Sequence, residues 1–188
     1  MTEPPQSKRE GPDDAEVVGA VLDGHREMYR ILVRRYEEPL FLHARRMVGG
    51  DDLAADMVQR AFVKGFRKLR TCREPEKVGG WLYRITSNLC KDHLKSRRQD
   101  DVSLEDAPPL SSERGDPDQE LERRELREEI DAALDRLTPD QREAFLLKHM
   151  EGRSYSEMSE ILDASVSALK MRVHRARDEL QAILRDHA

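Results

Sequence analysis

The chain has 188 residues and a formal net charge of -5, with 38% charged and only 5% aromatic residues. This length has room for one domain or two small ones, and the profile favours soluble helical modules over one large sheet protein. Net acidity argues against a general nucleic-acid coat, so the distribution of charge along the chain matters more than its sum.

Cys72 and Cys90 are the two cysteines, and they lack the CxxC spacing of metal and redox motifs. Two thiols in a chain without other candidates for cross-links fit a reducing cytosol. The favoured interpretation of both cysteines is that they are buried, unreactive thiols. The sequence has no signal peptide and no apolar run near the length of a membrane span. We therefore expect a soluble, cytoplasmic protein without membrane insertion.

Residues 1–12 are rich in proline, glycine and charge, which predicts a disordered N-terminus. Asp13 or Asp14 is a cap for a short helix, and a longer helix begins near His25. Pro39 lies inside the apolar pattern of the longer helix, so either that helix kinks or two helices meet there.

Gly49-Gly50 ends the longer helix, and Asp51 or Asp52 caps a third helix that runs to about residue 69. The apolar residues expected to face inward in this third helix are Ala55, Val58, Phe62, Phe66 and Leu69. After a loop, a strongly amphipathic fourth helix begins near Trp81.

The predicted first domain spans residues 13–98 and ends in a basic helix whose single acid is Asp92. The cations of this helix are Arg84, Lys91, Lys95, Arg97 and Arg98. Residues 99–116 are acidic and contain Pro108-Pro109, which predicts a linker.

The predicted second domain spans residues 117–186, and two capping boxes begin its first helices, at Asp116 and at Thr138. Phe145, Leu146, Leu147 and Met150 continue the apolar pattern of the second of these helices. No strand pattern occurs in the sequence. The fold class is therefore all-α, with two small helical bundles joined by a flexible acidic linker.

Ser154 and Glu157 form a third capping box, and Ser165 is an N-cap for a further helix after a short polar break. In that helix one apolar stripe consists of Val166, Leu169, Val173, Ala176 and Leu180. Its other faces carry the cations Lys170, Arg172, Arg175 and Arg177. Two short helices with a tight turn, the second basic, are typical of a DNA-binding helix-turn-helix, although a surface hairpin with a solvated basic face has the same pattern.

Two groups of motifs together resemble bacterial sigma factors. Residues 56–62 and 80–94 look like the second region of that family, and residues 137–145, 154–157 and 169–177 look like its fourth region. With only these two domains and a short linker, the chain is similar to the extracytoplasmic-function group. The resemblance implies core RNA polymerase, promoter DNA and an anti-sigma factor as partners.

On this resemblance, the basic helix of the helix-turn-helix reads the minus-thirty-five element in the major groove. The residues expected near base edges are Ser165, Ser167, Ala168, Lys170 and Met171. Those expected mainly on phosphates are Arg153, Arg172, Arg175 and Arg177. Asp163 stands where the family commonly has glycine and Ala168 where it commonly has threonine, which leaves the preferred DNA sequence open.

The resemblance places the Trp81 helix against the minus-ten element, where unstacking costs on the order of a few kcal/mol per base. Loop 71–80 above Asn88 is the expected pocket for a flipped base, although Asn88 is equally consistent with a plain helix surface. The residues expected along the backbone of the melted strand are Arg84, Lys91, Lys95, Arg97 and Arg98. Trp81 itself is interpreted as core rather than as a stacking platform.

The helix with Asp56, Gln59, Arg60 and Phe62 corresponds to the part of the family that binds the polymerase clamp. Arg60 stands where the family usually has an acid, which leaves that one contact open, and Phe62 also fits the inward stripe. Two interpretations of the acidic linker remain: it mimics nucleic acid inside a polymerase channel, or it is a solvated spacer.

The sequence contains no catalytic constellation, cofactor motif or metal-ligand spacing, so the chemistry is expected to belong to the polymerase. The alternative function is a free-standing transcriptional regulator that binds a palindrome as a dimer. Such a dimer needs an exposed apolar face, and only the predicted helix over residues 121–137 offers one.

Overall fold

The structure is a computed structural model that describes residues 11–100, 130 and 132–186, with side chains up to residue 97 in the first part and up to residue 183 in the second. All regular elements in these ranges are helical. Predictions for residues 1–10, for residues 101–129 and for the capping box at Asp116 lie outside the described residues, as does the side chain of Arg98.

The first part contains α1 Asp14–Leu22, α2 Tyr29–Val48, α3 Asp51–Lys68 and α4 Val78–Asp100, with 3₁₀ turns at Arg26–Met28, Leu69–Thr71 and Pro75–Lys77. Asp13 caps α1 in a complete capping box with Glu16. Pro39 lies inside one continuous α2, so the two-helix alternative is wrong. Helix α4 begins at Val78, three residues before the predicted start at Trp81.

Gly49 ends α2 in the left-handed conformation, with φ of 80°. The residue in the N-cap position of α3 is Gly50, and it makes no side-chain hydrogen bond, so the predicted aspartate cap is wrong. Asp51 and Asp52 instead lie in the first turn of α3, where their charges are favourable toward the helix dipole.

The core of the first part lies between α2, α3 and α4, and its fully buried large side chains include Leu32, Leu40, Met47, Met57, Leu69 and Leu82. The buried stripe of α3 includes Met57, Val58 and Phe62, whereas Ala55 and Phe66 are exposed. The inward prediction is thus wrong for Ala55 and Phe66, because they lie at the edges of the stripe. Trp81 is partly buried and packs against this core, as interpreted from the sequence.

The second part contains helical residues 132–136, α5 Pro139–Phe145, a π-helical turn Leu146–Met150, α6 Tyr155–Leu162 and α7 Val166–Asp186. The capping box from Thr138 to Gln141 is confirmed. Its fully buried large side chains include Leu137, Leu146, Leu147, Met158 and Leu169. Met150 is exposed, because the wider π turn changes the phase of the apolar pattern.

The two helical parts pack against each other. Helix α4 contacts both α5 and α6, and α2 contacts α5 and the π-helical turn. Buried apolar side chains of both parts form one connected cluster. In this contact a Cβ added to Gly80 would lie 3.8 Å from Cγ1 of Ile161 in α6.

Candidate nucleic-acid interface

Helices α6 and α7 form the predicted helix-turn-helix, and its caps are as the sequence indicates. The Ser154 backbone N–H donates to Glu157 at 2.8 Å, and the Glu157 N–H donates to the Ser154 hydroxyl at 3.2 Å. The hydrogen bond from the Ser154 backbone lowers the pKa of Glu157 below its ordinary value, with Arg153 as a further cause. Ser165 accepts from the Ala168 N–H at 3.2 Å and so caps α7.

The apolar stripe of α7 fixes which face is available to a ligand. Leu169, Val173 and Ala176 are buried and Leu180 is partly buried, whereas Val166 at the start of the helix is exposed. Because this stripe packs on the rest of the second part, the opposite face of α7 lies at the surface.

The exposed face of α7 carries most of the residues predicted to contact the minus-thirty-five element. The exposed members of that set are Ser165, Ser167, Lys170, Met171, Arg175 and Arg177. Ala168 and Arg172 are half-buried at the edges of the face. The hydroxyls and Lys170 lie in the first turns and the exposed guanidiniums lie further along, which is the order expected for base contact followed by phosphate contact.

Arg153 lies away from this face. Its guanidinium stacks over the ring of Tyr83 in α4 at 5.1 Å and lies 3.6 Å from the Glu157 carboxylate. Burial alone lowers the pKa of Arg153, but Tyr83 and the nearby carboxylates outweigh burial, and the net pKa is raised. The structure thus brings Arg153 together with the first part and not with the other predicted phosphate contacts.

The predicted minus-ten residues of α4 divide into two groups. Asn88, Lys95 and Arg97 are exposed. Arg84 and Lys91 are half-buried, because the second part of the chain lies against them. Only part of the predicted strand-binding surface is therefore accessible in this arrangement.

Acidic side chains of the second part pair with both half-buried cations. Arg84 pairs with Asp163 in the turn between α6 and α7. The Lys91 ammonium lies 2.9 Å from Glu143 and 3.4 Å from Asp140. Burial alone lowers the pKa of Lys91, but Glu143 and Asp140 outweigh burial and the net pKa is raised, so this ammonium is charged at neutral pH.

Two further polar contacts join the parts, and neither was predicted from the sequence. Nδ1 of His43 lies 2.7 Å from Glu151 and its Nε2 lies 2.9 Å from the Ser87 hydroxyl. The Arg142 guanidinium donates to the backbone carbonyl of Arg46 near the end of α2 at 3.1 Å. These partners are 44 to 108 residues apart in the sequence, and local pattern carries no signal for such pairs.

Loop 71–80, predicted to hold a flipped base, lines one side of a cleft of about 1090 Å³. Trp81 and Arg84 extend that side, whereas Glu157, Glu160 and Asp163 of the second part form the opposite side. The loop therefore borders a cleft whose opposite, acidic wall is supplied by the helix-turn-helix, and Asn88 does not line that cleft.

The residues predicted to bind polymerase lie on α3. Asp56, Gln59 and Arg60 are exposed, and the Arg60 guanidinium lies 3.4 Å from the Asp56 carboxylate. Phe62 is buried, with 8% of its surface exposed, at the floor of a groove of about 780 Å³ between α2 and α3. Val63 on the rim is exposed, so the groove combines apolar and polar groups as a separable protein interface does.

Both thiols are buried and unpaired, as the sequence analysis favoured. Burial raises the pKa of Cys90 to about 12 and also raises that of Cys72. Within the described ranges, no group of three metal-ligating side chains is placed to hold an ion. None of the helices in those ranges is both long and apolar enough to cross a membrane.

Comparison with known proteins defines the class. The Sigma-70 region 2 family matches residues 32–99, and the Sigma-70 region 4 family matches residues 127–180. These ranges contain α4 with its cations and the helix-turn-helix. The fold is therefore that of a sigma factor.

Two relatives and one solved structure refine this result. The chain is 32% identical to the RNA polymerase sigma-H factor of Pseudomonas aeruginosa over 92% of this chain and 96% of the relative. It is 31% identical to the ECF RNA polymerase sigma-E factor of Escherichia coli over 89% of this chain and 92% of that relative. The sigma factor RpoE in complex with the anti-sigma factor NepR, from Bartonella quintana, superposes with a TM-score of 0.62 and 25% identity over 84% of this chain and 96% of that one.

The chain belongs to the extracytoplasmic-function group of sigma factors. It is an alternative sigma factor that directs transcription initiation, and the dimeric-regulator alternative is not favoured.

Proposed function

We propose that the chain reads a promoter with two separate surfaces while a third surface binds core polymerase. The surface of α7 contacts the minus-thirty-five element through Ser165, Ser167 and Lys170, with Arg175 and Arg177 on phosphates. The observation that carries this proposal is that these residues are all exposed on a helix that is seated by a buried stripe and begun by a capped turn.

The second surface is α4 with loop 71–80, which holds the melted minus-ten strand. Asn88 and Lys95 are accessible at once, and Arg84 and Lys91 add further phosphate contacts when the second part moves away. The polymerase carries out RNA synthesis, and the sigma chain contributes binding and base capture.

The third surface is the α2–α3 groove with Gln59 and Arg60 on its flank, and it takes the polymerase clamp. An anti-sigma factor that covers this groove would hold the chain inactive in the cytoplasm. The support for such a partner is the solved complex of a related sigma factor with an anti-sigma factor.

Transcription reconstituted with core polymerase on a library of promoter sequences tests the proposal. We expect enrichment of two elements with a fixed spacing. Replacement of Ser167 by alanine should change base preference only in the upstream element, whereas Arg175→Ala should weaken all sequences alike and lower the salt slope of binding by about 0.9. A chain that does not associate with core polymerase would contradict the proposal.

A further inference from the structure

Helix α1 belongs to none of the three proposed surfaces, yet it packs against the loop that is proposed to hold the flipped base. It contacts the 3₁₀ turn Pro75–Lys77 of loop 71–80, and it also contacts α2 and α4. Val17 and Val18 of α1 are fully buried. Because a helix of nine residues is not stable in isolation, this packing keeps α1 folded. The helix and the loop therefore share one interface in the first part of the chain.

The first residue of α1 makes polar contacts with α2. Asp13 is the N-cap of α1, so the carboxylate of Asp14 is not needed for capping. That carboxylate instead accepts from the Arg35 guanidinium and from the Tyr36 hydroxyl. The Arg35 guanidinium also donates to the carbonyl of Pro12 at 3.0 Å. Only 13% of the Asp14 side chain and 16% of the Arg35 side chain are exposed, so these charge-assisted bonds are largely shielded from solvent.

The ring of Tyr36 lies against the backbone of Gly79, where the loop enters α4. A Cβ added to Gly79 would lie 2.6 Å from Cε1 of Tyr36 and 2.7 Å from its Cζ and hydroxyl oxygen, closer than van der Waals contact allows. A Cβ added to Gly80, the next residue, would have ordinary contact with Ile161 at 3.8 Å. The absence of a side chain at residue 79 therefore allows the close approach of the tyrosine ring.

The turns of the loop are closed by short-range hydrogen bonds. The Cys72 N–H donates to the Leu69 carbonyl at 3.0 Å, and the Lys77 N–H donates to the Glu74 carbonyl at 2.9 Å. Such bonds join residues three apart, so they shape the turns without fixing the loop relative to the helices. Within the first part, the position of the loop depends on packing against α1 and on the contact at Gly79.

We propose that Asp14 and Tyr36 are positioning residues for recognition of the minus-ten element. Together with Gly79 they form the α1 brace, which holds loop 71–80 in the position that selects the flipped base. This inference rests on the proposed function of the loop. A site discriminates between bases by hydrogen bonds that need placement within about 0.5 Å, whereas long Lys and Arg side chains on α4 adapt to a small shift of the backbone. Loss of the brace should therefore reduce selectivity before it reduces binding.

The α1 brace lies entirely in the first part of the chain. Asp14, Tyr36 and Gly79 belong to α1, α2 and α4, which share the core of that part. The contact therefore does not depend on where the helix-turn-helix lies. It should be present both in the free chain and on a promoter.

The test compares full-length wild type with Tyr36→Phe and Asp14→Ala in transcription reconstituted with core polymerase on a promoter library. Tyr36→Phe removes only the hydroxyl that donates to Asp14, and Asp14→Ala removes the acceptor while the Asp13 cap remains. Each change should lower the preference for the favoured base of the minus-ten element about 3- to 10-fold, the effect of losing one or two hydrogen bonds. The preference at the minus-thirty-five element should stay as in wild type.

Two control variants make matched changes elsewhere in the first part. Tyr29→Phe removes another hydroxyl of α2, which donates to the carbonyl of Phe62 at 3.0 Å. Asp23→Ala removes an exposed acid at the other end of α1. Both controls should keep the base preferences of wild type. Because Tyr29→Phe also removes a hydrogen bond of the fold, it shows whether lower stability alone changes selectivity.

Trp81 gives a readout that needs neither polymerase nor DNA. It is the single tryptophan of the chain, and it lines the same cleft as the loop two residues after Gly79. Acrylamide should quench its fluorescence more strongly in Tyr36→Phe and in Asp14→Ala than in wild type or the controls. Gly79→Ala should increase quenching more than Gly80→Ala, because an alanine at residue 79 displaces the tyrosine ring. Should Asp14→Ala fail to fold, Tyr36→Phe provides both readouts.

The outcomes separate this inference from the proposed function. If wild type shows a minus-ten preference that Tyr36→Phe and Asp14→Ala retain, the inference is overturned and the proposed function stands. An equal loss of selectivity in Tyr29→Phe, or an equal loss at both promoter elements, would also overturn the inference. Wild type without any minus-ten preference alongside core polymerase would contradict the proposed function, and the inference with it.

Discussion

Helices α4 and α7 both carry cations for DNA, but they differ in what lies against those cations. On α7 the exposed face carries Lys170, Arg175 and Arg177. On α4 the equivalent charges of Arg84 and Lys91 are paired with acids of the other part. A basic helix face is therefore a binding surface only when the rest of the fold leaves it accessible. Its cations can instead form ion pairs with acids of the same chain.

The largest test of this comparison asks whether the two parts unfold together. Leu82 in α4 and Leu169 in α7 are both fully buried in the one connected cluster. Leu82→Ala and Leu169→Ala should each lower the free energy of unfolding by about 2–5 kcal/mol, through lost transfer energy and a cavity. Guanidinium unfolding followed by circular dichroism should show one transition that both variants shift. Two transitions, each moved by one variant only, would show that the parts fold independently.

The second test compares a cation that stabilises the fold with a cation that is proposed to contact DNA. Arg142 is buried and bonds the Arg46 carbonyl across the two parts, whereas Arg175 is exposed on α7. Arg142→Met leaves that part-buried carbonyl without its donor and should lower the free energy of unfolding by about 1–3 kcal/mol. Arg175→Met, the matched control, should change it by less than about 0.5 kcal/mol in the same denaturant titration. Equal losses in the two variants would contradict the distinction.

A smaller effect is expected at the start of α6. Ser154→Ala removes the cap of the helix that supports α7 and should lower the free energy of unfolding by about 1 kcal/mol. Thermal unfolding at neutral pH measures this loss, and exposed Ser156→Ala in the same helix is the control. A loss as large in the control would show that the cap hydrogen bond is not the cause.

The partner in this capping box gives a prediction for pH. The folded pKa of Glu157 is lowered, so its contribution is present above the unfolded pKa of about 4.3 and is lost as the pH falls through the folded value. The stability difference between wild type and Glu157→Gln should therefore be constant near neutral pH and shrink in acid. A difference that grows as the pH falls below 5 would contradict the assigned sign.

The smallest expected effect concerns Cys90, whose thiol should not react with an alkylating agent in the native chain. Burial raises the pKa of Cys90 to about 12, so almost no thiolate forms at neutral pH and access is blocked. Iodoacetamide at pH 7 should leave Cys90 unmodified in the native chain and modify it after denaturation, as read by mass spectrometry. Rapid native alkylation would show that the thiol is accessible and reactive.

Local signals in the sequence predicted the helices and their caps well. The capping boxes at Thr138 and Ser154 are confirmed, and of the two predicted caps of α1 Asp13 is the one observed, because each cap depends on residues three apart in the chain. From the sequence, Pro39 could lie in one kinked helix or between two helices. The structure shows one continuous helix, and packing around that helix decides between the two. The phase of α3 was partly wrong at Ala55 and Phe66, since periodicity alone does not fix the edges of a buried stripe.

The sequence by itself predicted the all-helical class, the helix-turn-helix and most of the residues that face outward on α7, and the order of its motifs indicated the family. These follow from spacing, caps and motif order, which are properties of short stretches. The tertiary structure alone decided which cations of α4 are occupied, and by which acids. His43 meets Glu151 and Lys91 meets Glu143 only because two helical parts pack together. Such pairs join residues that are distant in the chain, and their interaction depends on burial that no local pattern encodes.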